Sequence, residues 1–389
     1  MGKILIYSWG SLSEKPLMRA MDALKAEYIL FNEEMVNYHA DAQFAAKLIQ
    51  TIHAQGISMI FSYDYFPLIS MICEINKLPY VSWIYDCPQY TLYSQTLTGS
   101  YNYIFCFDRV FTEYLKAIGA VNCFHFPLAA EDMTEKIVEL HALHKDKYHC
   151  EVSFVGNLYN EKKNRLRQAN LSEHTAGYVE GLVNAQLNVY GYNFIRDALT
   201  EAVTEEIAQE CALSLGDEFF QDREQLAADA IGMEVTGRER ELVLKTVSSV
   251  CPVTLYTSSE LPDSLREHDV RVKPFADYET EVPLIFYNSK ININITSKTI
   301  ESGIPQRVFD ILACGGFCIT NYQQEIAEYF TDGQELVMYT SMADLADKVR
   351  YYLEHEEERK QIAENGRAAV MQKFLLKNKL REMIESVGR

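Results

Sequence analysis

The sequence predicts an α/β protein of two doubly wound domains, the second interrupted by a helical insertion. Three observations predict it. Short apolar runs alternate with helical patterns over roughly the first 130 residues, and the same rhythm resumes after about residue 250. Between residues 160 and 250 there is almost no strand signal, only acidic amphipathic helices rich in Ala, Leu, Glu and Gln. A chain of 389 residues also exceeds what a single core usually organises.

The elements follow in order. Lys3 to Ser8 reads as a strand, followed by a Trp9-Gly10-Ser11 loop and a helix from Pro16 to Lys25. Ile57 to Ser62, Tyr80 to Ile84, Tyr103 to Cys106 and Cys123 to Phe126 are further strands. Parallel sheets built this way carry their ligand loops at the strands' C-terminal ends. Those loops hold Trp9, Gly10, Ser11, Asp64, Asp86 and Pro127. Residues 131 to 149 are polar, helical and His-rich and read as a linker. His141, His144, His149 and Cys150 are metal-ligand types, but no complete four-ligand pattern follows.

The second sheet is expected from Cys150 to Gly156, Pro252 to Thr257, Val270 to Lys273, Ile291 to Ile295, Gly316 to Thr320 and Glu335 to Tyr339. Ser341 and Asp344 have capping-box spacing at the start of a long helix, whose continuation carries the charge-dense HEEERK run. The predicted domains are residues 1–130 with a C-terminal helix from about 375 packing back, the linker at 131–149, and residues 150–374 with the insertion at about 160–250.

The most informative stretch runs from Ile291 to Thr320 (ININITSKTIESGIPQRVFDILACGGFCIT). Ile291, Ile293 and Ile295 alternate with Asn292, Asn294 and Thr296, so one strand face is apolar and the other polar. Gly303 and Pro305 open a short helix with Val308, Ile311 and Leu312 on its core face. Gly315 and Gly316 stop it. The helix start offers free amides and partial positive charge. Arg307 would reinforce that for a diphosphate, and Asp310, one turn on, could accept from ribose hydroxyls. An ordinary strand–helix–strand unit with a surface Arg–Asp pair reads the same spacing equally well.

Composition narrows the function. A formal charge of −19 opposes nucleic-acid binding as the main role, because the whole-chain field repels phosphate backbones. No apolar run approaches the ~18 residues of a spanning helix, and MGKILIYSWG reads as a strand rather than a signal peptide. Nine scattered cysteines without C-x-x-C suggest free thiols in a reducing cytoplasm. The chain has 25 Tyr against 2 Trp, a bias that suits carbohydrate or nucleotide pockets as well as an ordinary aromatic core.

Walker A, G-x-G-x-x-G, G-x-S-x-G, H-E-x-x-H and D-x-D signatures are all missing from the sequence. A bound nucleotide would therefore be neutralised by helix N-termini and Arg or Lys. Gly156 and Asn157 end a strand in a turn followed by Lys162, Lys163 and Arg165, which fits a phosphate loop or a solvated basic helix start. Tyr256 with Thr257, and Lys273 with Phe275, also follow strands, where a base could be held or where turns simply fall. Asp86 closes an apolar strand beside an aromatic cluster. It could be a general base for a hydroxyl, or equally a cap for the next element. His125 and Asp64 are weaker candidates of that kind.

Several of these runs together resemble one family. They are Ser289 to Asn294 (SKININ), Ser302 to Asp310 (SGIPQRVFD), Cys314 to Phe317 (CGGF), Asn321 to Glu325 (NYQQE), Tyr351 to His355, Ile362 to Gly366, Trp83 to Gln89 and Phe154 to Tyr159. The set resembles the CgeB-like, spore-maturation-protein type of bacterial glycosyltransferase, of the GT-B fold. That resemblance implies two Rossmann-like domains facing a cleft and transfer of a sugar from a nucleotide-diphosphate sugar to an acceptor hydroxyl on a protein, glycan or small molecule. A UDP-sugar would be the co-substrate, without a metal. It matches Arg307 and the Gly303 region to the phosphate-facing helix start and Asp310 to the ribose position; the further donor-side candidates are Gly156, Asn157, Tyr256, Thr257, Lys273, Phe275, Lys290, Asn292, Ser302 and Ile304. Trp9, Gly10, Ser11 and Asp64 would form the acceptor side, with Asp86 and Arg307 catalytic. Where many retaining relatives carry a sugar-contacting acidic residue, this chain has Ser302 beside Glu301. A non-catalytic nucleotide-sugar scaffold and a GT-B epimerase are the competing readings.

Overall fold

A computed structural model describes residues 2–144, 147–160, 164–213, 216–220 and 222–387 of the chain. The chain forms two compact units, one of Met1–Glu131, Leu215–Gln221 and Phe374–Arg389, the other of Asp132–Ser214 and Asp222–Lys373.

The first unit runs β1 (Lys3–Tyr7), α1 (Glu14–Ala23), β2 (Tyr28–Phe31), α2 (Ala42–Gln55), β3 (Ile57–Tyr63), α3 (Pro67–Asn76), β4 (Tyr80–Ile84), β5 (Asn102–Cys106), α4 (Arg109–Ala117) and β6 (Cys123–His125). Its sheet is parallel, in the order β2-β1-β3-β4-β5-β6, with Ile60 opposite Tyr80 and Ser82 opposite Ile104. The second unit runs α5 (Thr134–Leu143), β7 (Cys150–Val155), α6 (Glu173–Gln186), α7 (Glu201–Glu210), α8 (Arg223–Ser248), β8 (Val253–Tyr256), β9 (Val270–Lys273), α9 (Val282–Asn288), β10 (Ser289–Asn294), α10 (Gln306–Ala313), β11 (Cys318–Asn321), α11 (Gln324–Tyr329), β12 (Val337–Tyr339), α12 (Met342–Glu354) and α13 (Glu356–Lys373). This sheet is also parallel, in the order β12-β11-β10-β7-β8-β9. The closing helix α14 (Leu376–Ser386) packs on α1 in the first unit.

Both sheets reverse direction once. In the first the chain winds outward from β1 to β2 and then returns to β3, so β1 and β3 flank a switch point. In the second, β7 and β10 flank it. Open α/β sheets bind ligands outside the C-terminal ends of strands at such points.

Three departures from the sequence reading have physical causes. The edge strand β2 escaped notice because four residues, YILF, are too short to show alternation. The long helix after Ser341 is two helices, since His355 leaves the helical region (φ −108°, ψ 69°) and Arg359 donates to the freed Tyr352 carbonyl at 2.6 Å. A short excursion from the helical insertion belongs to the first unit. Phe219 and Phe220 pack against that unit's core, and Phe220 N donates to Tyr93 O at 2.6 Å.

The insertion itself is a small bundle with its own core, in which Val183, Val203, Ile207 and Ile231 are fully buried. Its long helix α8 carries glycines where the neighbouring loops come close, most tightly at Gly237. A Cβ at Gly237 would lie 3.2 Å from Leu158 O, and one at Gly232 would be 3.6 Å from the Lys298 carbonyl carbon. Those small residues let α8 lie directly on the loops that follow β7 and β10. No helix is long and apolar enough to cross a membrane among the described residues. None of the nine cysteines forms a disulfide.

Candidate functional site

The second unit's crevice is built where β7 and β10 end. After β7, Gly156 N donates to Tyr256 O, and the Asn157 side chain accepts from Ser258 Oγ at 2.8 Å. Thr257 Oγ1 lies 3.4 Å from the same oxygen. The structure thus gathers Gly156, Asn157, Tyr256 and Thr257 into one loop pair. Lys273 and Phe275, both exposed, follow β9, the sheet's edge strand beside β8.

Arg240 of α8 points into this corner, only 9% exposed. It donates to Asn157 O and Ile295 O and lies 4.4 Å over the Tyr159 ring, while its Nε is buried without a partner. Burial pulls its pKa down, Tyr159 opposes this, and the positive charge of Arg307 pulls it down further. Two guanidinium groups therefore lie near enough to repel. Arg307, at the start of α10, sits over the Phe286 ring with its Nη1 buried and unpartnered. Neither arginine has a carboxylate at salt-bridge distance among the described residues. A third cation, Lys298, follows β10 and is buried 3.3 Å from Glu239.

Around them, Asp310 accepts from Tyr278 Oη and Gln306 Nε2. Burial raises its pKa and Arg307 opposes the rise. Each of its oxygens keeps a second lone pair for a hydroxyl. Ser302 is buried and donates to Glu325 Oε1 at 2.7 Å, and Gly303 and Ile304 form the buried entry to α10. Gly315 takes the left-handed conformation (φ +73°) that ends α10. A Cβ at Gly316 would lie 2.6 Å from Phe286 O, so this pair of glycines serves packing.

Two expected donor contacts lie elsewhere. Lys290 is at the N-terminal end of β10, paired with Glu151 at 2.9 Å, at the opposite end of the sheet from the crevice. Asn292 is buried in mid-strand, accepting from Ser153 Oγ and donating to Phe286 O. The polar face of β10 is covered by protein, and Asn294 donates to Thr296 Oγ1 and Thr320 Oγ1, so both amides are satisfied within the unit. Arg165 donates to the Cys211 and Ala212 carbonyls within the insertion. Lys162 and Lys163 lie outside the described residues.

The sequence reading missed Arg240, Lys298 and Glu239. Lys298 follows the ININIT strand by two residues, which was a usable signal. Arg240 is hidden in GRERE, which reads as a solvated charge run.

In the first unit a cavity of about 580 Å³ opens at the switch point, with Trp9, Asp64 and Asp86 in its wall. Asp64 is 3% exposed, has φ +61°, and its Oδ1 accepts the amides of Tyr85 and Asp86, each at 3.0 Å. Burial, then the neighbouring Asp86 charge, pushes the Asp64 carboxyl up to about 7. Burial raises Asp86 as well. Such a pair resists carrying two charges. Trp9 is fixed by Nε1 donating to Tyr63 O at 2.9 Å. The amides of Gly10 and Ser11 are taken by Glu14 Oε1 at 2.8 and 3.0 Å. That removes both as free donors to an acceptor and leaves Trp9, Asp64 and Asp86. No group of three His, Cys, Asp or Glu side chains with metal-binding geometry occurs among the described residues.

These features define the class of protein. Two parallel six-stranded sheets with flanking helices match the GT-B architecture of solved glycosyltransferases, and the chain has that fold. More particularly, residues 238–385 match the family model described as glycosyl transferase-like. No curated protein matches the sequence. Among solved structures, Anabaena Alr3699/HepE in complex with UDP and glucose aligns over 99% of both chains at 12% identity with a TM-score of 0.53. Sucrose-phosphate synthase from Thermosynechococcus elongatus aligns over 99% of this chain and 98% of its own at 10% identity, TM-score 0.56. At such identities the likeness is one of fold.

Proposed function

We propose that the protein transfers a sugar from a UDP-sugar to an acceptor hydroxyl without a metal. The observation that carries this reading is the Arg240–Arg307 pair: two like charges, each with a buried, unpartnered N–H and neither with a carboxylate at salt-bridge distance among the described residues. Such an arrangement is stable when an anion sits between or beside the cations. A diphosphate at the ends of β7 and β10 supplies that charge, with the amides at the start of α10 adding to it. The Anabaena neighbour of the same fold, solved with UDP and with UDP-glucose, supports uridine as the base.

In the reaction the acceptor oxygen bonds to the anomeric carbon as the bond from that carbon to the diphosphate breaks. The hydroxyl proton passes to Asp86, and the electron pair leaves with UDP. Arg307 and Arg240 stabilise the charge that grows on the departing phosphate, and Asp310 takes the ribose hydroxyls. Titration calorimetry with UDP tests the reading. Arg307→Ala and Arg240→Met should each weaken binding about 10- to 150-fold, the worth of a charge-assisted hydrogen bond. Unchanged affinity and turnover in Arg307→Ala would remove Arg307 from the mechanism. Tight UDP binding with no donor turnover for any acceptor would leave a nucleotide-sugar-binding scaffold.

A further inference from the structure

The cavity of the first unit has an unbalanced charge. Its lining carries the carboxyl groups of Glu33, Glu34, Asp64 and Asp86 and no lysine, arginine or histidine. Glu33 is answered by Lys47 at 2.6 Å. The other three have no ion-pair partner among the described residues. Asp64 receives only backbone amides, through one of its two oxygens. Asp86, beside it, carries no side-chain hydrogen bond among the described residues. Desolvation raises the pKa of both groups, and a cation set against them would offset that cost.

Its rim is aromatic. Trp9, Tyr38 and Tyr90 expose 40%, 47% and 37% of their surface there. The indole of Trp9 is held rigidly by its bond to Tyr63 O and its edge contact with Phe66, ring centroids 6.1 Å apart. A fixed, exposed indole face suits the apolar face of a pyranose ring and attracts a cation. The volume lies within the ~300–1,000 Å³ usual for small-molecule sites.

We infer that this cavity takes a saccharide bearing a free amino group, its ammonium set against Asp64 and Asp86 and its ring against Trp9. A phosphorylated or carboxylated sugar is repelled by the same carboxylates. An N-acetylated sugar leaves them without a counter-charge. That this saccharide is the acceptor rests on the glycosyltransferase reading, but its binding needs no donor.

Calorimetry on the full chain without UDP tests it, using short glucosamine oligosaccharides, their N-acetylated counterparts of equal length and a lysine-containing peptide. The free-amine sugar should bind about tenfold or more tightly than the acetylated one. Asp86→Asn should remove most of that preference, and Glu34→Gln, exposed at the rim, a smaller part, while both leave the thermal shift caused by UDP unchanged, which shows the variants folded. Equal binding of both sugars, or binding of the peptide alone, overturns the inference. UDP binding without amino-sugar binding overturns this inference and spares the donor reading. Amino-sugar binding without UDP binding supports the inference and overturns the donor reading.

Discussion

Asp229→Asn isolates one buried acid on the helix that also supplies Arg240. Asp229 lies in the insertion, 4% exposed, with Oδ1 accepting from Gln225 Nε2 at 2.9 Å and Oδ2 buried without a partner. The neighbouring Arg196 is already paired with Asp222 at 2.9 Å. Burial therefore dominates and pushes the Asp229 carboxyl from 3.8 up to about 7. The sign follows from proton binding. Between those two values the folded chain holds a proton that the unfolded chain has lost, so stability falls as pH rises through the window and levels off above it. A little over three pK units correspond to a loss on the order of 4 kcal/mol. Asparagine has nearly the same shape, keeps the acceptor for Gln225 and does not titrate. The variant and the parent should match near about pH 4, and the variant should be the more stable near about pH 8 by up to that amount. At ~2–4 °C per kcal/mol for a unit of this size, the melting temperature should rise by about 8–16 °C. Thermal and urea melts across this pH range check it, and UDP affinity should stay within about twofold because the two sites are separate. A difference independent of pH, or a parent more stable at the alkaline end, would refute the burial argument.

Two further substitutions probe packing and capping. Gly366→Ala on α13 places a Cβ 2.1 Å from Glu335 O and 2.8 Å from Leu312 Cδ2. Because the first contact is backbone, the helix must shift, and urea denaturation should show a loss of about 1–3 kcal/mol. An unaltered midpoint would mean that α13 does not press on α10 as described. Ser341→Ala removes the oxygen that accepts from Asp344 N at 3.1 Å at the start of α12. A loss of about 1 kcal/mol in the same assay is expected, and Ser341→Asp should restore most of it.

The strand–helix rhythm was legible because it depends on periodicity, which survives without knowledge of neighbours. Tyr80–Ile84 and Val270–Lys273 are strands with the boundaries the sequence suggests. The two faces of β10 were legible as different, yet their environments were not. Periodicity says that Ile291 and Asn292 point opposite ways. It does not say that α9 and α10 cover the asparagines, and so it offered them to a ligand. Lys290 was misplaced by the same gap, since residue type was weighed without asking which end of the strand carries it. Arg240 fails differently. A charge in a charged run reads as solvated until a second element removes the water. Here Gly232 and Gly237 allow α8 to approach the loops closely enough to do so.

The opposite local signs of the two sites follow from which elements end at each switch point. The overall charge of −19 would disfavour any phosphate ligand if the mean field decided binding. It does not decide here, because Arg240 and Lys298 are buried and Arg307 is half-buried, with Glu239 and Asp310 beside them, and screening that weakens surface charges acts far less on buried ones. Around Asp64 and Asp86 the imbalance has the other sign, and burial, which raises both carboxyls, makes a neighbouring cation the more favourable. On the two proposals above, an anion in one unit and a cation in the other would each be selected by side chains fixed beside the switch point, and not by the bulk composition. The consequence for measurement is that salt should weaken non-specific association with this acidic chain strongly, while UDP binding at the arginine pair should respond only weakly to ionic strength.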